Sequence, residues 1–348
     1  MPAEAEPEAR VLSVPACGLG LTVGVGPGGR LRVRSTFVRL PRLSPIAYQR
    51  IALIATVLLA VIIVTGGAVR LSGSGLGCSD WPNCEPGRLT PRGASDVHAM
   101  IEFLNRMFTG LVSIAVIVCV LGSLVRVPRR RDLVWLSLGL VAGVFAQAVL
   151  GGLTVLFELQ PPLVMAHFLL SLVLLTNALV LYRRASEPPG RGRSLVEHRV
   201  RVLDRALLVV AAVVVTTGTV VTATGPHGGD RKAKRFAFDL PVVARIHGTS
   251  VIIFLCLALV TFWALRRTRA PAGVQGRLGV LLAVLVAQAI IGYVQYLNNI
   301  PEVLVGFHLA GATAVWAAVV WYSLGLTVRD GPAEAPAPEG REPVLAPA

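Results

Sequence analysis

Charge is what this sequence has least of. Only 15% of its 348 residues are Asp, Glu, Lys or Arg, against 54% hydrophobic residues and a mean hydropathy of +0.69. A soluble domain covers itself with polar side chains, so this composition excludes an ordinary soluble globule and makes lipid the solvent. The start, MPAEAEPEAR, lacks the basic segment of a secretory signal, and Pro and Gly interrupt the apolar stretch behind it. Residues 1–45 therefore read as a tail.

What the chain has instead is long apolar runs. Eight of them fall at about 48–70, 99–125, 133–156, 163–182, 203–223, 240–265, 277–297 and 303–327, each near the roughly 20 residues that span a bilayer. The net charge of +14 invites a nucleic-acid reading, but the distribution of that charge excludes it. With the N-terminus cytoplasmic, most of the 33 Lys and Arg lie in inner segments, among them Arg126, Arg129, Arg130 and Arg131, then Arg183, Arg184, Arg191 and Arg193, then Arg266, Arg267 and Arg269. The basic charge thus sets topology, with both termini cytoplasmic and the protein multi-pass in the cell membrane. One cluster, Arg231, Lys232, Lys234 and Arg235, falls on the outer side against the rule. The Pro-, Ala- and Glu-rich end from Gly331 reads as disordered.

The second half repeats the first. Ala146-Gln147-Ala148 matches Ala287-Gln288-Ala289, Gly151 matches Gly292 and His167 matches His308, all 141 residues apart. RLSGSG at 70–75 resembles TATG at 222–225, and Asn105 aligns with His247 at nearly the same offset. Four spans return the chain to the face it started from. The expected fold is therefore an all-α membrane protein of eight transmembrane helices, built as two tandem parallel four-helix bundles related by a pseudo-two-fold axis along the membrane normal. Its parts are an N-terminal tail at 1–45, a first half at 46–185, a basic linker at 186–201, a second half at 202–328 and a C-terminal tail at 329–348. The repeated glycines and Gln147/Gln288 suit close helix approach and interhelical hydrogen bonds.

Histidine inside a span is costly and is a functional candidate by default. Of six histidines, His167 and His308 each sit near the start of a span that enters from outside, and His247 lies two turns into the sixth span at similar depth. His247 and His308, on different helices, suit the two axial positions of one haem iron. The alternative is that each hydrogen-bonds a neighbouring helix. No Cys-x-x-Cys-His run occurs, so such a haem is held non-covalently. His198 reads as solvated in a basic loop and His227 as a residue of an outer turn. Glu102, a carboxylate in the outer turns of an apolar helix, suits proton exchange, or else pairs structurally with Arg70 or Arg106. Arg70 suits a haem propionate or, equally, the headgroup layer. Cys119 and Cys256 lie in spans as small apolar residues.

The first outer loop runs Gly66-Gly67-Ala68-Val69-Arg70-Leu71-Ser72-Gly73-Ser74-Gly75-Leu76-Gly77-Cys78-Ser79-Asp80-Trp81-Pro82-Asn83-Cys84. This string resembles the signature of the haem A synthase family, in its actinobacterial-type branch, and the likeness extends through Glu102, the Ala-Gln-Ala repeats and the paired histidines over roughly residues 50–325. The resemblance implies an eight-span enzyme that oxidises the C8 methyl of haem O to a formyl group by successive hydroxylation, giving haem A for cytochrome oxidase. It implies a haem b cofactor on His247 and His308 in the C-terminal half, and substrate haem O on His167 in the N-terminal half. It also implies Glu102 as the essential acid and a Cys78–Cys84 disulfide, serving either as a redox relay or as a loop brace.

This chain departs from that pattern where Glu-x-x-His reads Glu102-Phe103-Leu104-Asn105, because an amide is a poor iron ligand. His98 lies seven residues earlier, about 10.5 Å further out on nearly the same helix face, and four residues before Glu102. It is expected to be either a displaced ligand or a hydrogen-bond partner of Glu102. The implied partners are a haem O synthase as substrate donor, the cytochrome oxidase assembly machinery and membrane lipid, with no nucleic acid. The oligomeric state is left open, a homo-oligomer included. Two other readings compete: a b-type membrane cytochrome exchanging electrons with quinone, and a small-solute transporter. Glu102 and the cysteine pair favour the synthase over the first. Matched histidines with few charges at mid-membrane count against the second.

Overall fold

Ser, Asp and Pro start several of the long apolar runs as helices. Ser44 accepts a hydrogen bond from the Ala47 amide (3.2 Å) ahead of Pro45, and Asp96 accepts one from the Ala99 amide (3.0 Å), so each caps otherwise unpaired backbone donors. The helices of this computed structural model are α1 (Pro45–Leu71), α2 (Val97–Val125), α3 (Arg131–Leu156), α4 (Pro161–Ser186), α5 (His198–Thr224), α6 (Leu240–Arg267), α7 (Ala272–Leu297) and α8 (Glu302–Leu324). The structure describes residues 19–25, 31–37, 42–93 and 95–330. All eight helices are long and apolar enough to cross a membrane, and they coincide with the eight runs seen in the sequence. The shortest, at 23 residues, still reaches about 35 Å, against a hydrocarbon core of about 30 Å.

The described residues fall into two units. In the first, β1 (Leu19–Val25) pairs antiparallel with β2 (Leu31–Phe37), Leu19 opposite Phe37, so the stretch read as a tail holds a hairpin. The second unit holds all eight helices. There α1 packs on α2 and α4, and α3 on α2 and α4; likewise α5 packs on α6 and α8, and α7 on α6 and α8. Between the halves, α1 meets α8, α4 meets α8 and α4 meets α5. Exchanging helices one to four with five to eight maps this set of pairings onto itself.

Apolar side chains such as Val57, Ile114, Phe145, Val209 and Ile290 face outward, while several polar groups turn inward and pair across helices. Tyr48 shares a hydrogen bond with Ser137 across α1 and α3 (3.0 Å), and the Trp316 indole of α8 donates to Thr176 of α4 (2.9 Å). With no water to serve them, such groups hold helices in register. At the arginine-rich end, the linker after α4 forms β3 (Gly192–Ser194), paired antiparallel with β4 (Thr327–Arg329) just past α8. Part of the expected linker is also helix, because α5 begins at His198, which is exposed. The C-terminal stretch read as disordered, from 331, lies outside the described residues, as does Cys17.

Candidate functional site

In the second half, α6 carries His247 and α8 carries His308, and the two rings face each other with centroids 6.4 Å apart and planes at 83°. A metal–imidazole bond of about 2 Å and a ring radius of about 1.1 Å on each side put two axial imidazoles roughly 6 Å apart, so the spacing fits one shared metal. Glycines make the room. A Cβ on Gly218 of α5 would stand 3.1 Å from the His247 ring, and one on Gly292 of α7 would stand 3.0 Å from the His308 ring. The Thr217 hydroxyl lies 3.2 Å from Nδ1 of His247 and 3.2 Å from the Ser250 hydroxyl, which fixes the ring and leaves Nε2 for a ligand. Gln288 donates to the His308 carbonyl at 2.6 Å, and the buried Nδ1 of His308 has no hydrogen-bond partner among the described residues. Two imidazoles from separate helices at this spacing make a donor set that suits haem iron.

The first half repeats this construction with one change. Gln147 of α3 donates to the His167 carbonyl (3.0 Å) and to Ser171 (2.6 Å), and a Cβ on Gly151 would stand 3.2 Å from the His167 ring. Nδ1 of His167 is again buried without a partner among the described residues. On α2, Asn105 accepts a hydrogen bond from Thr65 of α1 at 2.9 Å, as His247 meets Thr217. The amide therefore stands at the repeat position that matches His247, held by the equivalent threonine.

Glu102 is buried, one turn before Arg106 on α2. Its Oε2 accepts the Cys78 amide at 2.8 Å, and its Oε1 meets the Arg106 guanidinium at 2.6 Å. Arg106 also donates to the carbonyls of Asp80 (3.2 Å) and Asn83 (2.8 Å). Of the two cations weighed as partners for Glu102, it is Arg106 that meets it. Cys78 and Cys84 are disulfide-bonded and fully buried, with Cα atoms 4.3 Å apart. The acid thus grips the backbone of the disulfide loop directly. That loop sets Trp81 against Gly152 of α3, one residue from the glycine beside His167. His98 is exposed and hydrogen-bonds Ser74 (2.9 Å), so the neighbours of Glu102 are Cys78 and Arg106, not His98.

Arg70, at the end of α1, donates to the carbonyls of His227 (2.8 Å) and Thr222 (3.0 Å), both in the second half. His227 in turn lies 2.8 Å through Nε2 from the Ile300 carbonyl, so this turn residue ties the end of α1 to the α5–α6 and α7–α8 connections. Cys119 and Cys256 are free, the first buried and the second exposed.

Sequence reasoning missed Thr65, Thr217 and Gly218. The signal was present: the dipeptide Thr-Gly recurs 152 residues on, the offset that also relates Gly73 to Gly225. It went unread because Thr-Gly is common in membrane helices and only the contact with Asn105 or His247 gives it meaning. Ser74 and the Trp81–Gly152 contact carried no sequence signal, since each depends on how an irregular loop folds back.

Eight membrane-length helices, with two neighbouring imidazoles in the second half and a single one in the first, define a multi-pass helical membrane protein with candidate metal-ligating histidines inside the bundle. A family model described as cytochrome oxidase assembly protein matches residues 49–226, half of the chain, and the chain belongs to that family. The match takes in the disulfide loop, Glu102, Asn105 and His167, and ends before His247. Among curated relatives, "Heme A synthase" of Exiguobacterium sibiricum is 34% identical over 173 residues, 49% of this chain and 57% of the relative. "Heme A synthase" of Listeria monocytogenes is 30% identical over 173 residues, 48% of this chain and 56% of the relative. That of Lysinibacillus sphaericus is 29% identical over 182 residues, 50% of this chain and 57% of the relative. The matched part of the chain thus spans little more than half the length of these relatives.

Proposed function

We propose that this chain is an oxidoreductase that converts haem O to haem A, oxidising the C8 methyl to a formyl group by successive hydroxylation. The single observation that carries the reading is the pair of facing imidazoles, His247 and His308, at the spacing of two axial ligands on one iron. Family membership supplies the substrate class, through relatives named heme A synthase. Haem b, held by His247 and His308, would supply one-electron transfer. Thr217 orients the first of these rings, and Gly218 and Gly292 leave space for both.

In the first half, His167 holds the substrate iron from one side while Asn105 offers no strong second bond. A weakly ligated substrate can leave once it has become product. Methyl oxidation sheds protons as well as electrons. Glu102, buried beside the disulfide loop with Arg106 as counter-charge, is the group that accepts them. His98 supports the loop through Ser74, and a direct bond to iron is the less favoured of its roles. Cys78–Cys84 braces the same loop. We further propose that the two halves are related by a pseudo-two-fold axis along the membrane normal, a reading supported by the matched helix pairings. The reading puts both termini in the cytoplasm and the disulfide end outside the cell membrane, with haem O arriving from a haem O synthase and haem A leaving toward cytochrome oxidase assembly.

Co-expression with a haem O synthase, under air, followed by chromatography of the extracted haems, tests this directly. Hydroxylated and formyl haems are expected. If haem O alone accumulates while the purified protein still carries haem b, the b-type cytochrome reading takes its place.

A further inference from the structure

The connection between α5 and α6 carries Arg231, Lys232, Lys234 and Arg235, all exposed, at the disulfide end, where topology disfavours cations. Among the described residues none of the four is in an ion pair. Of this cluster, Arg235 has a defined place: its Nε and Nη2 would lie 3.5 and 3.7 Å from a Cβ on Gly228. On the next residue, Gly229, a Cβ would lie 3.4 Å from Cγ of Arg70. Two guanidinium-bearing side chains, one from each half of the molecule, therefore lie beside consecutive glycines. Arg70 spends Nε and Nη2 on the His227 and Thr222 carbonyls, and its Nη1 has no hydrogen bond among the described residues. Neither guanidinium meets a carboxylate there.

The level of this pair is informative. Thr222, which Arg70 touches, lies five residues beyond Thr217, which touches His247, so it stands about 7.5 Å further toward the disulfide end. That is the order of the distance from a porphyrin iron to its propionate carboxylates. We propose that Arg70 and Arg235 form a two-guanidinium clamp for a carboxylate, a propionate of the porphyrin gripped by His247 and His308. The inference rests on the haem reading of those two histidines and adds to it a residue, Arg235, and a role for the cations on the wrong side of the topology rule. Because Arg70 comes from α1, the clamp makes haem retention in the second half depend on the packing of the first. A lipid phosphate offers similar chemistry, and the test separates the two sources.

Full-length protein stripped of haem, in nanodiscs of neutral phosphatidylcholine, would be titrated with ferric haem b and with its dimethyl ester, reading the Soret band. Wild type is expected to bind haem b about tenfold more tightly than the ester, a preference that Arg235→Gln removes. Arg235 is the primary variant because its side chain is exposed and makes no hydrogen bond among the described residues, whereas Arg70 also stitches the halves. Equal binding of acid and ester by wild type, or a preference that survives in Arg235→Gln, would overturn the clamp in favour of lipid headgroups. In either of those cases a bis-imidazole spectrum leaves the histidine reading standing. Its absence with both ligands would bring down the two together.

Discussion

Alanine at His308 or at His247 is expected to cut the haem content of the purified protein by more than about tenfold, while His167→Ala keeps the second-half haem. The difference follows from construction. His247 and His308 face each other directly, each ring seated against a glycine of the neighbouring helix, so losing one leaves a single imidazole on a metal that the geometry fits for two. His167 has the same glycine and the same glutamine on its carbonyl, but its opposite number is Asn105. Pyridine haemochrome per mole of protein is the measurement. Full haem content in both His247→Ala and His308→Ala would exclude the pair as ligands.

Glu102→Gln is expected to lower conversion of haem O by roughly a hundredfold or more, because removing a positioned acid–base group commonly costs that much. The amide keeps an oxygen for the Cys78 N–H, and Arg106 keeps its two loop carbonyls, so the disulfide loop has most of its anchors in the variant. What the substitution removes is the ability to take a proton. If Glu102 served only to brace the loop, activity would fall in step with thermal stability, and Arg106→Gln would match it. The informative readout is therefore the ratio of haem A to haem O beside the melting temperature. A large loss of activity with little change in melting supports proton transfer; normal conversion in Glu102→Gln would remove the acid from the mechanism.

The spans were legible because lipid demands one thing of every residue facing it, and hydropathy records that demand run by run. The likeness of the two halves around His167 and His308 was legible because the repeat keeps Gln, Gly and His in register 141 residues apart, and those residues sit together in each half. Asn105 could be flagged as a departure from sequence alone, but its bond to Thr65 could not, since that depends on the rotation of α1 against α2. The setting of Glu102 was harder still. Its partner Cys78 lies 24 residues away in an irregular loop, and no periodicity reports where such a loop returns. The β1–β2 hairpin went unread for another reason: Gly and Pro in the first 45 residues argued against a helix and drew attention away from the alternation in Leu21–Val25 and Leu31–Val33.

The central claim is that His247 and His308 share one iron, and low-temperature electron paramagnetic resonance of the ferric wild-type protein tests it most directly. Imidazole planes crossed at 83° predict the highly anisotropic low-spin signal of perpendicular axial histidines, absent from His308→Ala. A purely high-spin spectrum, or an unchanged low-spin signal in His308→Ala, would contradict it.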